Sequence, residues 1–229
     1  MKKLLLLAAF AGFAFTTAQA QEMRFGVKAG ANFANMTIKE DGFSIKPESR
    51  TAFHIGALVE FPISDAFYIQ PEILYNSVGS KVNFSESFMG MEINSESTLK
   101  LDYISIPIMA KYYFMEGFSL EAGPQIGFLM SAKNDYSYVV SGMGMDQNES
   151  GTKDIKEGFK AIDLGLGIGA SYRLDMGLFF SARYVLGLSN IGEEGNDNGN
   201  DDDFDDFDVD FGGATVKNNV FQISVGYSF

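Results

Sequence analysis

The chain ends in NNVFQISVGYSF, residues 218–229. Taken in steps of two, Phe221, Ile223, Val225, Tyr227 and Phe229 fall on one side, and Gln222, Ser224, Gly226 and Ser228 on the other. Successive side chains of a strand point to opposite faces, so the segment reads as a strand with one wholly apolar face. A terminal strand that finishes on an uncovered Phe calls for a solvent that accepts its apolar face.

The same alternation recurs upstream. RFGVKAGANF sets Phe25, Val27, Ala29, Ala31 and Phe33 against Gly26, Lys28, Gly30 and Asn32, and AFHIGALVEF sets Phe53, Ile55, Ala57, Val59 and Phe61 against His54, Gly56, Leu58 and Glu60. FYIQPEILYN, YISIPIMAKYYF, FSLEAGPQIGFLM, AIDLGLGIGASYRL and LFFSARYVLGL follow, making eight segments with the last. No segment beyond residue 21 has a helical period, and no apolar stretch there is long enough for a membrane helix. Tight turns, ISDA (63–66), MEG (115–117) and DMG (175–177), follow strands two, four and six, whereas the other links are long and polar. Aromatic residues gather beside the short turns: Phe25, Phe61, Phe67, Tyr112, Phe114, Phe118, Tyr172, Phe180 and Tyr227.

A soluble sandwich or lipocalin-like barrel would alternate too. Two features favour lipid on the outside: the polar positions are mostly Gly, Ser and Ala with single charges, as a narrow lumen requires, and short turns alternate regularly with long links. The expected fold is all-β, an eight-stranded antiparallel up-and-down transmembrane β-barrel of OmpA/OmpX-like architecture. Outer-membrane lipid meets the apolar face, and the last strand pairs with the first to abolish the edges.

The composition limits the chemistry. In 229 residues there are 25 Gly, 22 Phe and 10 Tyr, no Cys and no Trp, and the formal charge is −13. One barrel domain of this size is ordinary. Without Cys there are no disulfides, thiol nucleophiles or Cys-based zinc sites, and an acidic chain argues against nucleic acid as a partner. Residues 1–20 read as a cleaved signal peptide, with Lys2 and Lys3, an apolar run from Leu4 to about Phe15, and Ala18-Gln19-Ala20 as the cleavage site. Gln21 in place of Cys excludes a lipid anchor, and residues 21–229 form the exported domain.

The matching stretches FGVKAGANFANM, FHIGALVEFPISDAFYIQPEILYNSVGSK, LDYISIPIMAKYYF, GFSLEAGPQIGFLMSAK, LFFSARYVLGLSNI and VFQISVGYSF resemble the PorT-type, porin-family small outer-membrane β-barrel proteins. The resemblance implies the barrel fold and residence in the cell outer membrane. The family label comes from a member linked to secretion and attachment of surface proteins. The closing strand, with Tyr227 and the final Phe229, resembles the signal read by barrel-assembly machinery.

Candidate sites are few. Gly165, Gly167 and Gly169 of GLGIGA recur at period two within a strand, so they make room in the lumen and are not a phosphate loop. His54 is the only His; a hydrogen-bonded lumen histidine is the simpler reading, a general base the sharper one. Lys28, Lys111, Arg173 and Arg183 share the lumen face with Glu60, Glu72, Glu121 and Asp163, four charges against four, which reads as a packed polar plug. Between Glu193 and Asp210 ten acids occur with no Lys or Arg. Asp201, Asp203 and Asp205 begin like a calcium loop, but Asp206 stands where Gly is needed and Gly212 where Glu is needed, leaving only weak divalent-cation binding to consider. The same loop carries Phe204, Phe207 and Phe211, which could dock on a partner or on lipid. No catalytic residues and no cofactor are expected. The functional expectation is a non-enzymatic barrel presenting polar extracellular loops to a partner or surface ligand. A small transport pore, a secretion-associated barrel and an outer-membrane enzyme are the alternatives.

Overall fold

The structure is a computed structural model that describes residues 23–40, 43–45, 47–88, 91–142, 146–193 and 213–229. Ten strands occur among them: β1 (Arg24–Glu40), β2 (Phe43–Ile45), β3 (Glu48–Pro62), β4 (Phe67–Phe88), β5 (Met91–Met115), β6 (Phe118–Ser141), β7 (Gln147–Asp154), β8 (Ile162–Arg173), β9 (Leu178–Gly187) and β10 (Thr215–Ser228). Eight of them close a ring in the order β1, β3, β4, β5, β6, β8, β9, β10, every contact antiparallel. The seam runs from Gly26↔Ser228 to Lys39↔Thr215. β2 adds only to β1, and β7 only to β6.

Lipid is the solvent that explains the burial. Phe25, Val27, Phe53, Ile55, Ile73, Ile108, Leu120, Ile168, Phe180, Ile223 and Val225 are all exposed, while the alternate positions Lys28, Asn32, His54, Glu72, Lys111, Glu121, Arg183 and Gln222 are buried. The short-turn end is built tightly. Gly117 and Gly177 have φ of +75° and +92°, which a side chain would strain, and Ser64 Oγ accepts from the Phe67 amide at 3.2 Å. Aromatic rings there stack along the belt, Phe67 on Tyr112 with centroids 4.9 Å apart and Phe118 on Tyr172 at 4.3 Å. A second aromatic row, absent from the sequence reading, lies at the long-link end, where Phe33 meets Phe221 at 6.3 Å and Phe53 meets Tyr75 at 5.6 Å.

The long links differ from the expected loops. β4 and β5 continue as a paired ribbon to Phe88↔Met91, and β6 continues to Ser141 with β7 beside it. A sheet of four strands therefore stands beyond the belt, where the sequence suggested polar coil. The extra strand length has a cause in the pairing: each residue of 81–88 has a partner in 91–98, so the backbone groups that a coil would leave to water are paired along the ribbon.

Candidate functional site

The lumen is filled in layers. At the short-turn end Glu60 accepts from Arg24 at 2.9 Å, from Lys111 at 2.9 Å and from the Tyr113 hydroxyl at 3.0 Å. Tyr68 packs edge-on against Tyr113 at 5.1 Å, and Arg173 lies over the Tyr113 ring at 5.9 Å. Gln70 links this layer to the next: its Oε1 accepts from Lys111 at 3.1 Å and its Nε2 donates to Glu72 at 2.7 Å.

The middle layer is a four-charge cluster. Arg183 donates through Nη1 and Nη2 to Glu72 at 3.1 and 2.7 Å and through Nε to Glu121 at 2.7 Å. Lys28 completes Glu72 at 2.6 Å. Gly167 and Gly169 make the space: an added Cβ would lie 3.4 Å from Arg183 Cδ at the first and 3.1 Å from Glu121 Oε1 at the second.

Of the eight charged lumen residues named from the sequence, the structure thus brings Lys28, Glu72, Glu121 and Arg183 into one cluster and Lys111 and Glu60 into another. Arg173 and Asp163 do not join them. Arg173 takes an aromatic face, and Asp163 accepts from Ser189 Oγ and Asn218 Nδ2, each at 2.9 Å. Arg24, which the sequence reading passed over, holds Glu60 in place of Arg173. The polar plug expected from the charge count is arranged as two ion clusters bridged by Gln70, because sharing a face does not fix depth along the barrel.

Above the charges lies a neutral hydrogen-bonded layer centred on His54, which is fully buried. Its Nδ1 is 2.8 Å from Asn32 Oδ1 and its Nε2 is 2.8 Å from Ser224 Oγ. Asn32 Nδ2 donates to Asn76 Oδ1 at 2.7 Å and Ser77 O at 2.8 Å, so its Oδ1 faces the ring and His54 donates from Nδ1. Nε2 then accepts from Ser224. This is the connectivity of a nucleophile, a base and an orienting amide, but Asn32, His54 and Ser224 are all buried in the lumen, and neither of the cavities described below and above them is lined by Ser224. The three groups satisfy one another, as buried polar side chains require.

The long-link end is sealed by an apolar layer. Met36, Val78, Leu101, Leu129, Ala132, Val185, Val216 and Val220 point inward from the strands. Ile155, Phe159 and Ile191 fold in from two links and pack on them. Backbone bonds stitch those links together: Lys160 N to Ile191 O at 2.8 Å, Glu193 N to Gly158 O at 3.0 Å and Ile191 N to Val216 O at 2.9 Å. Among the described residues, the cavities near the two ends of this stack are each about 10 Å³.

The four-stranded ribbon has two unlike faces. The pairings Val82↔Ser97↔Tyr136 and Phe84↔Ser95↔Tyr138 place Val82, Phe84, Tyr136 and Tyr138 on one face, all exposed. Lys81, Thr98 and Asp135 share the other face with Asn83, Glu96 and Ser137. Lys100 bonds the Asp135 carboxylate, and Thr152 Oγ1 donates to it at 2.9 Å, which together hold that carboxyl below the usual aspartate range.

The family model for the outer membrane protein beta-barrel domain matches residues 18–193. The chain belongs to the outer membrane protein beta-barrel domain family. The protein is therefore an outer-membrane barrel, and in such barrels the short turns lie on the periplasmic side and the longer links outside. Among solved structures it is similar to the attachment invasion locus protein Ail of Yersinia pestis, with 15% identity, a TM-score of 0.42 and coverage of 91% of this chain and 100% of that one. It is also similar to Neisserial surface protein A, with 15% identity, a TM-score of 0.38 and coverage of 90% and 97%. Acinetobacter baumannii CarO2 is similar at 9% identity and a TM-score of 0.36, with coverage of 89% and 98%. The search of curated proteins gives no match.

At the closing strand of this outer-membrane barrel, the Phe229 amide donates to Phe25 O at 2.7 Å and its ring meets Tyr227 edge-on at 5.2 Å. Asp201, Asp203 and Asp205 lie outside the described residues. Among the described residues no group of three or more His, Asp or Glu is placed to hold a metal.

Proposed function

We propose that this protein is a non-enzymatic display barrel: a sealed stub in the outer membrane that holds a four-stranded ribbon outside the cell. The occupant proposed for the ribbon is an extended segment of a partner protein lying along its apolar face. One observation carries the reading. β5 has 25 residues and β6 has 24, whereas about 9–11 suffice to cross the bilayer. The excess builds a sheet that anchors nothing, and it bears Val82, Phe84, Tyr136 and Tyr138 uncovered on one face. Exposed apolar patches of this kind mark contact surfaces. Along β4 beyond Lys81 and along β7, no further strand pairs the outer edge among the described residues, leaving backbone groups for a partner strand.

The test is site-specific photo-crosslinking in intact cells. Crosslinkers at Phe84 and Tyr138 are expected to capture a protein partner, while crosslinkers at Asn83 and Ser137 on the opposite face capture little. Equal capture from both faces, or none from either, refutes the reading. The PorT-type resemblance supports a secretion-associated alternative, which predicts that trimming the ribbon stalls export of surface proteins instead. Cleavage after Ala20 and recognition of Tyr227 and Phe229 by assembly machinery belong to the same proposal.

A further inference from the structure

At the junction of the neutral layer and the extracellular apolar layer, the lumen holds a cavity of about 10 Å³, room for roughly one water-sized sphere. Its lining includes Tyr103, Gln125, Asp163 and Asn218. Three oxygens of that lining are buried without a hydrogen-bond partner among the described residues: Tyr103 Oη, Gln125 Oε1 and Asn218 Oδ1. Tyr103 and Asn218 are 2% and 4% exposed, so bulk water does not serve them. Turning the Asn218 amide over cures nothing. Its Nδ2 donates to Asp163 Oδ2 at 2.9 Å, and exchange would set the amide oxygen against a carboxylate.

Asp163 adds the second half of the argument. Its oxygens take Ser189 and Asn218, both neutral. The lumen cations named above are committed elsewhere: Lys28 and Arg183 to Glu72 and Glu121, Lys111 and Arg24 to Glu60, and Arg173 to the Tyr113 ring at the far end of β8. A carboxylate at the inner rim thus adjoins a cavity lined by unused oxygen lone pairs.

We propose that this cavity binds a single small monovalent cation, with Asp163 supplying the charge and Asn218, Gln125 and Tyr103 supplying neutral oxygens. A divalent ion fits poorly, since calcium takes six to eight oxygens, commonly with several carboxylates. One water would satisfy the three orphan oxygens but leave the Asp163 charge uncompensated beneath an apolar lid. The site would tie β5, β6, β8 and β10 together just below that lid.

The test compares full-length protein refolded into detergent in sodium chloride or in choline chloride at equal ionic strength, with unfolding followed by far-UV circular dichroism. Choline is too large for the cavity. At sodium ten times its dissociation constant, the folded-to-unfolded ratio is expected to rise about elevenfold. D163N abolishes the sodium response, and Y103F, which keeps the ring, weakens it; the two together keep the test readable if one variant refolds poorly. Equal stability of the parent in both salts overturns the proposal and leaves a water site. A sodium response of undiminished size in both variants also overturns it, placing the effect in the acidic segment between Glu193 and Asp210.

Discussion

Replacing Arg183 by Met is the sharpest probe of the lumen. The guanidinium makes three hydrogen bonds to two carboxylates, and the side chains of Arg183, Glu72 and Glu121 are 2%, 0% and 1% exposed. Met keeps most of the stem volume and removes the charge, so Lys28 alone faces two Glu. Removing one partner from a buried ion pair costs roughly 3–5 kcal/mol, because the remaining charge is left uncompensated. An exposed pair such as Lys100 and Asp135 is worth about 0–1 kcal/mol by comparison. The decisive control is R183M/E121Q, which removes the surplus negative charge and leaves Lys28 paired with Glu72. It should be more stable than R183M alone, a coupling of order 0.5–3 kcal/mol. The chain has no Trp, so guanidinium unfolding in detergent is followed by far-UV circular dichroism and by the heat-dependent gel shift. R183M within about 1 kcal/mol of the parent, with no recovery in the double variant, would refute the reasoning: the backbone ladder would then hold the barrel regardless of its lumen.

Neither the parent nor R183A should conduct in planar bilayers, because the apolar layer around Leu101, Leu129 and Ile191 still closes the extracellular end; stable single-channel steps in the parent contradict this. A fluorophosphonate probe should leave Ser224 unlabelled in the folded barrel, and labelling that disappears in H54Q would reveal a reactive serine after all. The folded-state pKa of Asp135 is depressed, so its stabilisation is complete above the unfolded value of about 3.9 and is lost as pH falls through the lower folded value. Amide protection at the β6–β7 pairing should therefore weaken below about pH 4, and in D135N that pH dependence should be absent. Replacing Phe229 by Asp should lower outer-membrane levels in cells more than refolding into detergent, since a single partly exposed Phe contributes at most roughly 2–3 kcal/mol of burial; equal losses in both would assign Phe229 to stability alone.

The belt was legible because lipid outside and a narrow lumen inside make the two faces of each strand chemically opposite, and period two then reports the face directly. Depth was not legible. Arg173 and Asp163 share the lumen face of β8, but they stand ten residues apart at its opposite ends, about 33 Å at 3.3 Å per residue. Only the stagger between strands decides which charge meets which, and no single strand carries that information. The same holds for Ser224, His54 and Asn32, whose contacts span 170 and 22 residues of sequence. The ribbon was missed for a different reason. Met130 is an extra residue in β6, between Tyr103↔Leu129 and Asp102↔Ser131, and it reverses the parity of everything above it. Ala132 and Asn134 turn inward where strict alternation would send Ser131 and Lys133.

On β10 and β5 the parity holds but the chemistry of each face changes where the membrane ends. On β10 the outward positions run Val225, Ile223, Phe221 and then Asn219 and Lys217, while the inward ones run Ser224, Gln222 and then Val220 and Val216, with Asn218 between them. On β5 outward Ile108, Ile106 and Ile104 give way to Asp102 and Lys100, and inward Lys111, Met109 and Ser105 give way to Tyr103, Leu101 and Leu99. In both strands the outward face turns from apolar to polar between one outward residue and the next. A strand in lipid sends apolar groups out, and one in water sends them in, so the change marks the outer interface at the level of Ile104 and Phe221. What lies above is a water-facing extension of β1, β3, β4, β5, β6 and β10, whose apolar core of Met36, Leu101, Leu129 and Val216 is completed by Ile155, Phe159 and Ile191 from the links where β8 and β9 have ended. The ribbon grows from that extension. Its rigidity therefore comes from an ordinary apolar core above the bilayer, and shortening the ribbon beyond Lys81 leaves both cores whole.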